Sequence, residues 1–459
     1  MYKYSKFLIP IVLFIFWSCS SGENKTVETV EKDTLVVEIP DSLSITEKLK
    51  MLPGVELTEI TCDSDRFIAG YKLLFSQPLD YNNPEKGIFK QKVYLSHKSE
   101  KDLMVMYLDG YSVNTNGYIS ELADILKSNH MHVEHRFFGE SSPDSIDWSL
   151  LNIRNAAADH HRIVRLLKNI YKSKWISTGI SKGGQTTMYH KRFYPQDVDV
   201  AVPIVAPLNL AMEDKRIYDF LDNVGTEECR KKVREMQTEI FKNYDKALEL
   251  FKKKSMDYHY SYPMGYERAF ELSVFEFEFA FWQWGGDCED IPLKGKSLED
   301  KINYVFMTDA PGFFTKTTAK DLFPFFWQAY TEVGMYGYRV EPFKDYLREY
   351  KSEVCNSETF IPAKFKAKFD PSVMKDIDSW LKKSGNNMIY VYGEFDAWSS
   401  TAFEPGKSTN ALKIVKKGGS HTTRIGNLPY EQKKQVYDSL GNWLGIKLEL
   451  ENDSLQTIK

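Results

Sequence analysis

Three residues in this chain have the types and the order needed for acyl transfer. Gly179-Ile180-Ser181-Lys182-Gly183 lies between an apolar run at 175–179 and a helix-like stretch at 185–193. A G-x-S-x-G pentapeptide placed between a strand and a helix forces a sharp turn that lifts the serine hydroxyl over the C-terminal edge of a sheet. The pattern alone also fits an ordinary glycine-rich turn, so it needs partners. A second apolar run, 388–392, leads into Gly393-Glu394-Phe395-Asp396-Ala397-Trp398. Asp396 is a better orienting acid than Glu394, because Gly393 supplies the turn and Asp396 falls in the loop proper; its alternative reading is a helix-start cap. A third run, 412–415, leads to Gly418-Gly419-Ser420-His421-Thr422, and His421 is the only histidine after His259.

Nucleophile, acid and histidine in that order, each after its own strand, is the arrangement of an α/β-hydrolase triad. Ser181 is a poor nucleophile at its own pKa, so His421 is expected to take its proton during attack. Asp396 is expected to hold the imidazole in the tautomer that turns its other nitrogen to Ser181. The oxyanion formed on attack needs N–H donors: Lys182, directly after the nucleophile, and Gly110 or Tyr111 in the loop after an earlier strand. These groups hydrolyse an acyl bond with no metal and no cofactor.

The elements that must position them alternate. Strand-like runs at 87–95, 103–108, 130–134, 175–179 and 198–205 are interleaved with helical spacing at 119–126, 156–170 and 185–193. Strands this apolar have no wet face, which implies a mostly parallel sheet covered on both sides and an α/β fold class. The alternation breaks near residue 206 and returns at 388, closing with an amphipathic helix at 430–444. The intervening segment shows helix-like patterns at 215–221, 230–251, 271–284 and 343–351. It reads as a large helical cap over the sheet edge where open α/β sheets bind ligands. The expected organisation is a hydrolase core at 50–207, a cap at 208–383 and the rest of the core at 384–459.

The chain opens with a short basic stretch and an apolar run, 7–17, too short to span a bilayer, which reads as an export leader over 1–19. Cys19 stands where a lipoprotein leader places its acylated cysteine, although Phe16-Trp17-Ser18 is a poor match to the usual small residues. The polar stretch 20–49 suits a flexible tether, so membrane contact is expected only through that lipid anchor, at the periplasmic or outer face of a bacterial cell. Net charge is −4 with no basic block, which argues against a nucleic-acid partner. The other four cysteines, Cys62, Cys229, Cys288 and Cys355, lack any C-x-x-C unit, so neither a zinc knuckle nor a redox dithiol is favoured. In an exported protein they can pair; Cys229 with Cys288, both in the middle segment, is the preferred bridge.

Beyond the triad, the chain carries Gln77-Pro78-Leu79-Asp80-Tyr81 with Asn83-Pro84 and Gly87, Glu134-His135-Arg136-Phe137-Phe138-Gly139-Glu140-Ser141, and Gly179-Ile180-Ser181-Lys182-Gly183-Gly184. It also carries Trp327-Gln328 with Thr331-Glu332-Val333-Gly334, the segment Gly393 to Trp398, and Ser420-His421. In these motifs, which extend over most of 73–422, it resembles the secreted tripeptidyl aminopeptidase family of serine peptidases, family thirty-seven. It is more distantly similar to the prolyl carboxypeptidase and dipeptidyl peptidase family. The resemblance implies an α/β-hydrolase with a helical cap, a triad of Ser181, Asp396 and His421, and release of short peptides, tripeptides or dipeptides, from a free amino end. At Phe137-Phe138 the distant relatives carry tyrosines, so no ring hydroxyl acts there, and their preference for proline before the cut is not carried over.

An exopeptidase must meet the substrate ammonium with a carboxylate held at a fixed distance from the nucleophile, and oligopeptides are then the expected partners. Glu332 is the first candidate, with Glu278 and Asp287, which flank the aromatic run 279–284, behind it; each also fits a solvent-facing acid. Trp282, Trp284 and Trp327 are candidates for the pocket wall or for cap packing. Two other readings stay open: a carboxylic-ester hydrolase with the same triad, and a surface binding lipoprotein that keeps the fold without the chemistry.

Overall fold

The computed structural model describes residues 35–115, 117–351 and 360–450. The leader, Cys19, the first part of the tether and Cys355 lie outside the described residues. Nine strands form one sheet: β1 Val55–Ile60, β2 Ala69–Pro78, β3 Ile88–His97, β4 Met104–Leu108, β5 Asn129–Val133, β6 Trp175–Ile180, β7 Val200–Ile204, β8 Ile389–Gly393 and β9 Leu412–Lys416, in the order β1-β2-β3-β5-β4-β6-β7-β8-β9. β1, β2 and β3 pair antiparallel, and β3 lies antiparallel to β5, whereas β5, β4, β6, β7, β8 and β9 run parallel. Every residue of β4, β5, β7 and β8 is buried, as strands sandwiched between helix layers must be. β1 and β2 escape the sequence reading because they alternate, with β2 burying every second residue along most of its length.

Helices of ten residues or more are numbered α1 Ile153–Leu167, α2 Lys182–Phe193, α3 Glu227–Lys242, α4 Tyr244–Asp257, α5 Tyr266–Trp284, α6 Leu298–Met307, α7 Ser372–Ser384 and α8 Tyr430–Leu444. α1, α2 and α7 cover one face of the sheet, with Ile163, Met188 and Met374 in its core, and α8 covers the other with Val436 and Leu440. Placing α7 on the sheet means that the segment expected as cap to 383 ends in a core helix. The cap has its own core, built from α3 to α6, the segment 310–347 and Phe360 with Ile361. The expected tether is likewise shorter than 20–49, since Leu35 and Leu49 are buried in the main core and Lys48 pairs with Glu100 at 2.8 Å.

Two local expectations in the cap give way to tertiary structure. The helix read over 230–251 is broken at Asn243 (φ −104°, ψ 38°) into α3 and α4. The one read over 343–351 does not form. The buried carboxylate of Glu271 accepts the N–H groups of Arg348, Glu349 and Tyr350 at 2.7, 3.0 and 2.9 Å, so these amides bond a side chain across the cap.

The preferred bridge is present: Cys229 in the first turn of α3 is joined to Cys288, just past the end of α5, with a Cα–Cα distance of 5.4 Å. Closing a loop of 59 residues removes denatured-state entropy, worth about 4 kcal/mol in the chain-entropy model. Replacing both cysteines by serine is therefore expected to lower the melting temperature by several degrees under oxidising conditions. An unchanged Tm would show that this bridge leaves stability untouched.

The motif at 134–141 is a structural knot. Arg136 is fully buried; its guanidinium bonds Asp159 at 2.6 and 3.1 Å and the carbonyls of Pro78, Leu79 and Leu150. A buried charge survives only when paired and hydrogen-bonded, and here the fork is saturated. Glu134 accepts Ser141 N–H and Oγ on one oxygen and Val113 N–H on the other.

Candidate active site

The turn from β6 to α2 puts Ser181 at φ 57° and ψ −122°, a strained conformation for a non-glycine residue that exposes the hydroxyl at the sheet edge. Gly179 and Gly183 make it possible: a Cβ on either would collide with the backbone carbonyl of Leu108. Ser181 N–H bonds the Ile204 carbonyl at 2.9 Å, pinning the turn to the next strand. Lys182 N–H opens the helix, where it has no intrahelical acceptor.

Asp396 and His421 stand beyond the ends of β8 and β9. The Asp396 carboxylate is fully buried; Oδ2 meets His421 Nδ1 at 2.8 Å, and Oδ1 accepts Trp398 N–H at 3.1 Å. One carboxylate oxygen thus faces the histidine and the other caps the short helix that follows. Glu394 serves the loop instead, accepting Gly418 N–H at 2.7 Å. His421 N–H donates to the Gln283 carbonyl at 2.8 Å, near the end of α5, so the cap grips the histidine loop directly. With Nδ1 on the carboxylate, Nε2 is the nitrogen available for proton transfer.

Ser181 opens into a cavity of about 330 Å³ between sheet edge and cap. Along α5, Glu276, Ala280, Gln283 and Trp284 line it at the i, i+4, i+7, i+8 spacing of one helical face. Glu276 is the residue that sequence reasoning missed. Its carboxylate is buried, accepts Tyr336 Oη at 2.9 and 3.0 Å and Tyr338 Oη, and burial pushes its pKa up to about 8 against the donation of those two hydroxyls. The available signal was an acid inside Val274-Phe275-Glu276-Phe277, a run otherwise fully apolar and buried.

The three acids expected to meet an ammonium lie elsewhere. Glu332 accepts Ile153 N–H at 2.8 Å at the start of α1, and burial raises its pKa to about 7; it is absent from the cavity wall although Val333 and Gly334 belong to it. An anion at a helix N-terminus is stabilised there by the orphan amides and the dipole. Glu278 faces away from the cavity, 3.5 Å from Arg234, and Asp287 caps a turn by accepting Glu289 N–H at 2.9 Å. Of the tryptophans, Trp284 lines the cavity with its ring edge-on to His421 at 5.7 Å. Trp282 is buried against Phe395, and Trp327 packs on Trp148 and Phe365. Tyr111 is on the cavity wall, but its N–H is turned to Asp109 Oδ1 at 3.0 Å; the Gly110 carbonyl accepts Lys182 Nζ at 2.7 Å.

A model of the PS-10 peptidase S37 family matches residues 38–454. The chain belongs to this family. It is a serine peptidase, with the α/β-hydrolase fold that the sheet order describes. It is 31% identical over 415 residues, 88% of this chain and 85% of the relative, to the prolyl tri/tetrapeptidyl aminopeptidase of Streptomyces mobaraensis. It is also 32% identical to prolyl carboxy peptidase like protein 5 of Caenorhabditis elegans, over 25% of each chain. Among solved structures it is similar to the proline iminopeptidase of Mycobacterium smegmatis, at 13% identity over 77% of this chain and 96% of that one with a TM-score of 0.37. Acetyl xylan esterase 1 of Thermoanaerobacterium sp. JW/SL YS485 is similar at 12% identity over 86% and 90%, with a TM-score of 0.36. Among the described residues of this peptidase no helix is long and apolar enough to cross a membrane.

Proposed function

We propose that this peptidase releases short peptides, tripeptides foremost, from the free amino end of oligopeptides, with Ser181, His421 and Asp396 as its triad and Glu276 as the group that grips the substrate ammonium. The observation that carries the reading is a buried carboxyl on the wall of the cavity into which Ser181 opens. An ester pocket has no use for a buried acid that is costly to ionise, whereas an ammonium entering beside it replaces the lost solvation with a charge-assisted bond. The name of the Streptomyces relative supports the same class of product.

In this mechanism Ser181 Oγ attacks the scissile carbonyl while His421 Nε2 takes its proton, and the oxyanion is held by hydrogen-bond donors that include Lys182 N–H. The C–N bond then breaks, the imidazolium returns the proton to the leaving amine, and the N-terminal fragment remains as an ester on Ser181. Water, deprotonated by His421, hydrolyses that ester and frees the peptide. Hydrolysis of di-, tri- and tetrapeptide amides, each with a free and an acetylated amino group, tests the reading. Acetylation is expected to lower kcat/KM at least a hundredfold on the preferred length; equal rates would remove the exopeptidase assignment and favour an esterase-like pocket.

A further inference from the structure

The donor that pairs with Lys182 N–H at the oxyanion is not the backbone amide of Tyr111, which Asp109 Oδ1 accepts at 3.0 Å. Resting on the assignment of Ser181 as nucleophile, we propose that the Tyr111 hydroxyl is this second donor, a catalytic residue acting through its side chain. The Tyr111 phenol lines the same cavity as Ser181, close enough for the two hydroxyls to act on each other. A phenol on the same cavity wall as the serine hydroxyl needs only a small swing to meet the carbonyl oxygen that becomes attached one atom away from Ser181 Oγ.

The surroundings hold that phenol in place. His135 N–H donates to the Tyr111 carbonyl at 3.1 Å, and Lys182 Nζ to the Gly110 carbonyl at 2.7 Å. Val113, two residues on, is tied at both ends, its N–H to Glu134 Oε2 at 2.8 Å and its carbonyl to Lys92 Nζ at 2.7 Å. The ring lies edge-on to Phe138 at 5.8 Å and against Phe325 of the cap at 5.8 Å. The knot at 134–141, which the triad chemistry does not otherwise use, thereby braces the oxyanion loop through His135, Glu134 and Phe138. Preorganised donors of this kind lower the barrier because they need not reorient as charge develops. Burial, reinforced by Asp109, holds the Tyr111 pKa well above its ordinary value, so the hydroxyl keeps its proton while donating.

The test is Tyr111→Phe, which keeps the ring and its packing, assayed on a free-amino tripeptide amide beside Ser181→Ala. The expected result is a fall in kcat of roughly 10²–10³-fold with KM within about threefold. The affinity of a tripeptidyl aldehyde, which forms a tetrahedral adduct on the serine, should fall by a similar factor, and that of the product tripeptide should not change. Tyr111→Phe with kcat and aldehyde affinity within threefold of the parent, while Ser181→Ala is inactive, overturns the proposal and leaves the triad standing. Full activity of Ser181→Ala would instead overturn the assignment on which it rests. A melting temperature matching the parent shows that the loss in Tyr111→Phe is not one of folding.

Discussion

Ser181→Ala is expected to reduce kcat on a free-amino tripeptide amide by on the order of a million-fold, the scale on which a serine nucleophile and its base act as a unit. The fold should be untouched. Alanine keeps the Cβ and removes only the hydroxyl, so the strain of φ 57° is the same in both proteins, and the turn is held by Ser181 N–H on Ile204 and by the bare glycines on either side. What remains would come from the oxyanion donors and from binding alone. Steady-state kinetics with a thermal melt of the same sample check both halves; undiminished turnover by a folded variant would remove Ser181 from the mechanism.

Glu276→Gln separates binding of the amino end from chemistry. The variant keeps an acceptor for Tyr336 and Tyr338 but loses the negative charge, so a substrate ammonium would enter a buried site with no counter-charge, at a cost of about 3–4 kcal/mol. On free-amino peptides kcat/KM should fall roughly 10²–10³-fold, and on acetylated peptides it should not change. The pH dependence has a definite sign. The carboxyl of the free enzyme gives up its proton only near pH 8, and a peptide amino group loses its charge near pH 8 as well. The productive pair, carboxylate with ammonium, is therefore most populated near pH 8, where kcat/KM of the parent should peak; the Gln variant should lack the rise on the acid side that belongs to Glu276.

The same shift is a statement about stability. Between the ordinary value of 4.5 and about 8 the folded protein keeps a proton on Glu276 that the unfolded chain releases, so this group makes stability fall as pH rises through that window. Below 4.5 both states are protonated and the group is silent. Glu276→Gln should accordingly melt higher than the parent at pH 8 and close to it at pH 4. Parallel Tm curves across pH 4–8 would show that Glu276 is not held protonated by the fold.

Much of the catalytic core is legible in the chain because its signals are local. The β6–α2 turn needs its glycines, the fully buried β8 ends where the loop carrying Asp396 begins, and the apolar run 412–415, of which only Ile414 is buried, leads to the loop carrying His421. Chain order then supplies the long-range information, since parallel strands bring their C-terminal ends to one edge. The antiparallel β1 and β2, the break at Asn243 and the unformed helix at 343–351 were not legible. Their shape depends on partners far along the chain, and the three amides held by the Glu271 carboxylate are a direct example.

The sequence by itself determined the fold class, the triad candidates and the preferred disulfide, each through residue types at positions that local geometry constrains. Only the tertiary structure decided which acid faces the cavity beside Ser181. Glu276 and Glu278 are two residues apart on α5, about 200° around the helix, so one lines the cavity while the other turns to Arg234. That rotation comes from packing: Phe279 stacks on Tyr336 and stands edge-on to Trp398, which follows Asp396, and Gln283 is bonded to His421 N–H. Glu332, the stronger candidate by motif, was claimed by the first amide of α1, a partner 179 residues away. An acid in a cap announces its charge in the sequence, but its direction belongs to the packing around it.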